Sequence, residues 1–241
     1  MERRREGEQR GVPTGRMGGL LSVVLVLLLA PLGCARSAPE PTRPPMDAGQ
    51  VAISAERAST LDGPYRLVFE WTLNEPGTRI SGRGVARVEP PSRARLDLFM
   101  SNGERVAAAA LVRDELTTPR GMRTTLPPAP LLWGALGVFR PGDQTGLRGG
   151  SWQSNGGAEL RYVSGGNEEL RYRLRNNRIE RMEVLRGNRA REEVRLVRVD
   201  GERFPREATY RDLEQVRELR ITLETVEHVE SYPSDIWNLD L

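Results

Sequence analysis

The sequence predicts a mainly β protein: a large, curved antiparallel sheet with an amino-terminal helix and a short apolar helix covering the concave face. Three observations lead there. Apolar and polar residues alternate over many short runs, the period of two that sends successive side chains to opposite faces of a sheet. Turn residues separate the runs, and no helical crossovers intervene, so neighbouring strands run antiparallel. One proline-flanked apolar segment interrupts the series. A sheet this long must curl, and its concave face needs a cover.

The elements follow in order. Asp47 is placed to cap a helix over residues 48–61, where Ala48, Val51, Ala52, Ala55, Ala58 and Leu61 recur at helical spacing. Tyr65, Leu67, Phe69, Trp71 and Leu73 then alternate with polar neighbours, the strongest strand signal in the chain. A second alternation from Ile80 to Val88 stops at Glu89-Pro90-Pro91. A third through Ala94, Leu96, Leu98 and Met100 meets Ser101-Asn102-Gly103, a hairpin signal leading to Val106, Ala108, Ala110 and Val112. After Pro127-Pro128-Ala129-Pro130, the run LLWGALGVF (131–139) predicts the apolar helix, either a fixed plug or a movable lid. Further strands are expected at Leu160 and Tyr162, at Leu170 to Leu174, at Ile179 to Val184 with a bulge, at Val194 to Val199, around Ala208 and Tyr210, and at Leu219 to Leu223. The pairs Gly149-Gly150, Gly156-Gly157 and Gly165-Gly166 have hairpin or bulge roles.

The first 33 residues read as a signal peptide. Leu20 to Leu32 is an uncharged apolar block of 13 residues, the length of a signal h-region and short of the roughly 18 to 20 that span a bilayer. Gly33-Cys34-Ala35 follows and resembles the bacterial lipobox, although Pro31 stands three positions before the cysteine, where leucine is usual. The resemblance implies cleavage before Cys34 and acylation of its sulfur and amino group, the multiple-chain condition for stable membrane anchoring. Ala35 in place of aspartate implies the outer membrane. Met17 is an alternative start. Ala35 to Pro45 (ARSAPEPTRPP) favours extended polyproline II. The expected organisation is therefore signal peptide (1–33), lipidated cysteine and tether (34–46), and a single domain (47–241).

Composition narrows the function. The formal charge is +3, and five arginines against three glutamates before residue 17 supply +2 of it. With arginine and glutamate interleaved over the rest, no basic patch for nucleic acid is expected. One cysteine and one histidine, His228, leave no internal disulfide and no thiolate or imidazole metal cluster. There is no G-x-S-x-G elbow, no phosphate loop and no H-E-x-x-H. Glu168-Glu169, Glu180 and Glu192-Glu193, interleaved with arginine, read as a solvated strand face. No enzyme, cofactor or metal is expected.

Taken together, lipobox cysteine, short helix, rising antiparallel strands, central proline-flanked helix and terminal hairpins resemble the lipoprotein-localisation (LolA/LolB-like) family. The resemblance covers nearly all of 47–237 and is one of architecture, without a diagnostic motif. It implies a half-open β-barrel closed by helices, binding acyl chains of lipoproteins or lipids in its hollow, with a periplasmic carrier protein as partner. Cys34 makes the chain look like the anchored receptor rather than the soluble carrier. The candidate acyl-binding residues are Leu67, Phe69, Trp71, Leu96, Leu98, Leu131, Leu132, Trp133, Tyr162 and Tyr172. Phe99-Met100 is read as an ordinary hairpin end rather than the receptor's protruding apolar tip. The alternative is a non-carrier envelope lipoprotein whose sheet is a scaffold for a protein partner. A carrier needs an apolar cavity of several hundred cubic ångströms, whereas a scaffold has a filled interior.

Overall fold

A computed structural model describes residues 44–120, 126–165 and 167–239. The signal segment, Cys34 and most of the tether lie outside the described residues.

Helix α1 spans Ala48–Ser59, and the Asp47 carboxylate accepts the backbone N–H of Gln50 at 3.0 Å, as an N-cap should. It ends two residues before the expected limit. Thr60 is extended, and Gly63 precedes Pro64, whose ring disfavours helical backbone at the residue before it. Ala55 is fully buried on the face that meets β6, β7 and β9, described next.

Strands β1 (Tyr65–Glu75), β2 (Thr78–Glu89), β3 (Arg93–Met100), β4 (Arg105–Val112) and β5 (Glu115–Thr117) form one meander. The second comprises β6 (Gly146–Trp152), β7 (Ala158–Ser164), β8 (Glu168–Arg175), β9 (Arg178–Arg186), β10 (Arg189–Val197), β11 (Glu207–Asp212) and β12 (Arg217–His228). β1 pairs antiparallel with β12, so the described residues form one sheet of 12 strands in the order β5-β4-β3-β2-β1-β12-β11-β10-β9-β8-β7-β6. Its edges β5 and β6 do not pair, which makes it an open half-barrel. The chain passes from one edge to the other through helix α2 (Ala129–Ala135).

Local chemistry sets the hairpins. Asn176 and Asn177 have φ of 50° and 60°, the two successive left-handed residues of a turn whose twist matches the flanking strands. β6 was not expected, because GLRGGSW carries no alternation; a bulge between Leu147 and Gly149 lets this glycine-rich edge follow β7.

Alternation sorts the two faces as expected. Leu67, Phe69, Trp71 and Leu73 on β1 point inward and are buried. Phe69 lies flat across β2 at Gly84, where any Cβ would enter its ring, and the Trp71 indole N–H donates to the Arg83 carbonyl at 3.0 Å. On the outer face a carboxyl-terminal strap, with a 3-10 turn at Ser234–Trp237, packs on β3 and β4. Ala108 and Ala110, each 1% exposed, keep that part of β4 low enough to receive it. Beside it the buried Asp97 receives Arg87 at 2.8 Å and Arg95 at 3.0 Å, and Arg95 also donates to the Ile236 carbonyl at 2.7 Å.

The contact at Gly84 gives a direct test. Gly84→Val is expected to lower stability by about 1–3 kcal/mol through overpacking against Phe69, seen as a lower urea midpoint with unchanged slope.

Candidate functional site

The concave face and the helix that fills it form the candidate site. α2 runs from Ala129 to Ala135, not over 131–139. It begins earlier because Pro128 is its extended N-cap and Pro130 falls in the first turn, where a missing N–H costs no hydrogen bond. It ends earlier because Gly137 takes φ of 80°. The N–H of Gly137 then donates to Gly134 at 2.8 Å and that of Val138 to Trp133 at 3.0 Å, closing a Schellman motif. The Phe139 N–H, just beyond, donates to the Ser59 hydroxyl at 3.0 Å and so ties this segment to α1.

α2 packs on β9, β10 and β11. At Gly134 it comes so close to the sheet that a Cβ would overlap the Met182 thioether of β9. The Trp133 indole N–H donates to the Arg113 carbonyl in the β4–β5 turn at 2.7 Å. Arg198 donates to the carbonyls of Ile179 at 3.2 Å, Arg203 at 3.2 Å and Gly137 at 3.5 Å, joining β9, the β10–β11 loop and the end of α2. Burial, with Arg178 nearby, brings the Arg198 pKa down to about 10.

All ten candidate residues are buried in one continuous apolar cluster. Leu67, Phe69, Leu96 and Leu132 come together, with Leu136 and Phe204 among their neighbours, around an apolar crevice between α2 and strands β1, β3, β11 and β12. That crevice holds only about 30 Å³. Trp133 borders a separate pocket of about 290 Å³, where Glu56, Glu89 and Arg140 supply charge. Tyr162 and Tyr172 instead form an aromatic group with Phe139, whose ring centroid lies 4.6 Å from that of Tyr172. Burial pushes the Tyr162 phenol up to about 12 and raises that of Tyr172, whose hydroxyl has no hydrogen-bond partner among the described residues, well above its ordinary value. Trp71, Leu98 and Leu131 are buried elsewhere in the same core. Among the described residues the crevice beneath α2 is therefore nearly filled and falls short of the several hundred cubic ångströms of an open carrier pocket.

One concave-face group escaped the sequence reading. A bulge between Ala190 and Glu192 shifts the β9–β10 register; beyond it Glu192 lies in phase with the inward Val194 and Leu196, and the Tyr210 hydroxyl donates to it at 2.9 Å. Its neighbour Glu193 turns outward and is nevertheless only 3% exposed, beneath arginines. The expected solvated face at Glu192-Glu193 is thus corrected: one glutamate lines the interior and the other lies under guanidinium. The period of two that places Val194 and Leu196 inward already places Glu192 with them, so the signal lies in the alternation and only the charge of the side chain argues against it. His228 stacks edge-on against Tyr65 with centroids 5.1 Å apart. Among the described residues no cluster of His, Cys, Asp or Glu could hold a metal, and no helix is long and apolar enough to cross a membrane.

This architecture, a half-barrel filled by a helix from the crossover between its edges, is a LolA-like fold. The sequence matches no protein-family model and no curated protein. Among solved structures it is similar to a LolA superfamily protein from Nitrosomonas europaea, with TM-score 0.53 and 11% identity over 79% of this chain and 97% of that one. It is similar also to a domain described as an outer membrane lipoprotein-sorting protein domain from Vibrio parahaemolyticus, with TM-score 0.52 and 8% identity over 78% of this chain and 95% of that one.

The inward carboxylate makes stability depend on pH. Burial raises the Glu192 pKa, with Asp212 and Glu168 adding repulsion against the lowering effect of Tyr210. The folded state therefore binds this proton more tightly than the unfolded state, and stability falls as pH rises through the folded pKa. Glu192→Gln is expected to raise the melting temperature at pH 7. The gain should vanish below about pH 4, where the unfolded carboxyl is also protonated.

Proposed function

We propose that this is a lipid-anchored envelope protein, held through Cys34 at the outer membrane and facing the periplasm. It binds acyl chains of lipoproteins or lipids between α2 and the seam of β1 with β12, and acts in lipoprotein or lipid transfer with a periplasmic carrier as partner. The observation that supports this reading is the crevice under α2, lined by apolar residues, on a LolA-like half-barrel.

The closed form has room for about one water molecule, so a chain enters only as α2 moves away. The magnitudes allow this exchange. Exposing Leu131, Leu132 and Trp133 costs about 1.5–3 kcal/mol each. An acyl chain that buries a dozen methylenes at about 0.8 kcal/mol each offsets that loss. The incoming chain takes over the apolar contacts of the helix.

Protein purified from membranes is expected to carry lipid or acylated peptide by mass spectrometry and to take up a fluorescent fatty acid. Ala135→Val, whose two added methyl groups take up the crevice, should weaken that uptake by about threefold or more, on the scale of lost apolar contacts. The nearly filled crevice favours a second reading, a scaffold for a protein partner. Protein that is always recovered empty and never takes up the fatty acid would establish that reading instead. Anchoring is tested separately: Cys34→Ser should release the protein from the outer membrane, and a variant still processed and retained there would remove the anchor.

A further inference from the structure

Along one row of the outer face, arginines outnumber those that the neighbouring carboxylates need for a partner. Cross-strand register places Arg173 of β8 opposite Arg181 of β9, Arg181 opposite Arg195 of β10, Arg195 opposite Thr209 of β11, and Thr209 opposite Arg220 of β12. The row continues to Thr72 of β1 and Ser81 of β2. From β8 to β2 it contains hydrogen-bond donors and no carboxylate. Strands spaced about 4.8 Å apart make it a stripe roughly 30 Å long. Like charges directly opposite one another on neighbouring strands are destabilising, so three adjacent arginines need a reason.

Ion pairing supplies only part of one. Glu159, Glu183, Glu193 and Glu218 lie beneath and beside the stripe, with side chains 13%, 9%, 4% and 22% exposed. The guanidiniums stand above them, those of Arg173, Arg195 and Arg220 at 38%, 52% and 52%. None of these three is required to satisfy a carboxylate. Without them Glu159 keeps Arg171, Glu183 keeps Arg181, Glu193 keeps Arg181 and Arg211, and Glu218 keeps Arg211. Each of the three is ion-paired, yet the outermost layer of this face is guanidinium and the carboxylates lie below it.

The stripe also has a hollow at one end. A pocket of about 360 Å³ is bordered by Arg173, Arg181 and Arg195, together with Gln153 and Asn155 from the β6–β7 turn. Its acid, Glu180, is paired with Arg175 at 3.1 Å. Planar guanidiniums match phosphate oxygens two bonds at a time, and hydroxyl donors extend the same recognition along the stripe.

We propose that this pocket and stripe bind the phosphate head groups of an anionic phospholipid surface. Where the chain leaves the described fold favours lipid over a soluble acidic partner. The Pro44 carbonyl accepts the indole N–H of Trp152 at 3.2 Å, and Trp152 ends β6 beside the turn that walls the pocket. Pro44 lies ten positions after Cys34, a reach of at most about 35 Å. That argument rests on Cys34 as the anchor; the phosphate chemistry does not.

The test uses the full chain carrying Cys34→Ser, floated with vesicles of phosphatidylcholine alone or mixed with phosphatidylglycerol. The difference between the two compositions is the readout, so neither acylation of Cys34 nor acyl-chain uptake affects it. At low salt the chain should bind the phosphatidylglycerol vesicles about tenfold more tightly, and the preference should disappear at about 0.5 M salt. The variant R173Q/R195Q/R220Q, which leaves every buried carboxylate a partner, should lose the preference while keeping its melting temperature. No preference in the parent chain, or full preference in the folded triple variant, overturns the proposal. Displacement from vesicles by millimolar inorganic phosphate would reassign the pocket to a free anion, and equally effective displacement by polyglutamate would reassign the face to an acidic protein.

Discussion

The structure depends on the pairing of β1 with β12. Tyr65 faces His228 and the ladder runs to Asn74 opposite Glu218, with one irregularity between Val68 and Phe69. Each meander alone could form from local hairpins, but only this long-range ladder makes them one sheet with one concave face. Its loop-closure entropy falls due before its contacts form, and the inward pairs Phe69–Leu223, Trp71–Ile221 and Leu73–Leu219 are what offset it. The crevice is lined by Leu67, Phe69, Ile221 and Leu223 from this same seam. The candidate site therefore lies where the two halves of the chain are joined, and a change that loosens the seam acts on both fold and site.

The two faces solve opposite problems. Inside, the apolar side chains of a half-barrel need a cover that the open edges cannot provide, and α2 supplies it. Outside, a chain whose cationic side chains are all arginine arranges them above carboxylates that are nearly dry. Burying Asp97, Glu183 and Glu193 carries a desolvation cost, and several forked guanidiniums around each compensate it better than a single point charge would. The same arrangement leaves the negative charge below and the positive charge outermost. An electrostatic solution to folding thus produces a directional surface.

Legibility in the sequence followed the range of the interaction. Hairpins announced by Asn176-Asn177 or Asn102-Gly103, the cap at Asp47, and the inward residues of β1 are local or strictly periodic, and the residues themselves reveal them. β6 was hidden because its glycines leave no side chains to alternate, whereas the inward direction of Glu192 is legible in its phase with Val194 and Leu196 and is masked only by its charge. The limits of α2 were misplaced by treating LLWGALGVF as one unit. Pro130 is permitted in a first turn, and Gly137 ends the helix inside that run. The β1–β12 ladder and the arginine stripe depend on which strands become neighbours. Strand order is a property of the whole sheet that no window of sequence contains.

Whether α2 is a plug or a lid turns on the kind of contact that holds it. Its sheet-facing residues Leu131, Leu132, Trp133 and Gly134 make apolar contacts, which are non-directional and can be exchanged for those of any chain of similar cross-section. Its directional ties are few: the Trp133 indole on Arg113, and Arg198 on the Gly137 carbonyl. Under α2 lies Met182, an unbranched and adaptable side chain that can refill space as a neighbour shifts. A helix held this way is stable while nothing competes for the face beneath it. In the proposed function an acyl chain is that competitor, and a volume of about 30 Å³ describes the closed partner of an exchange in which helix and ligand occupy the same face in turn.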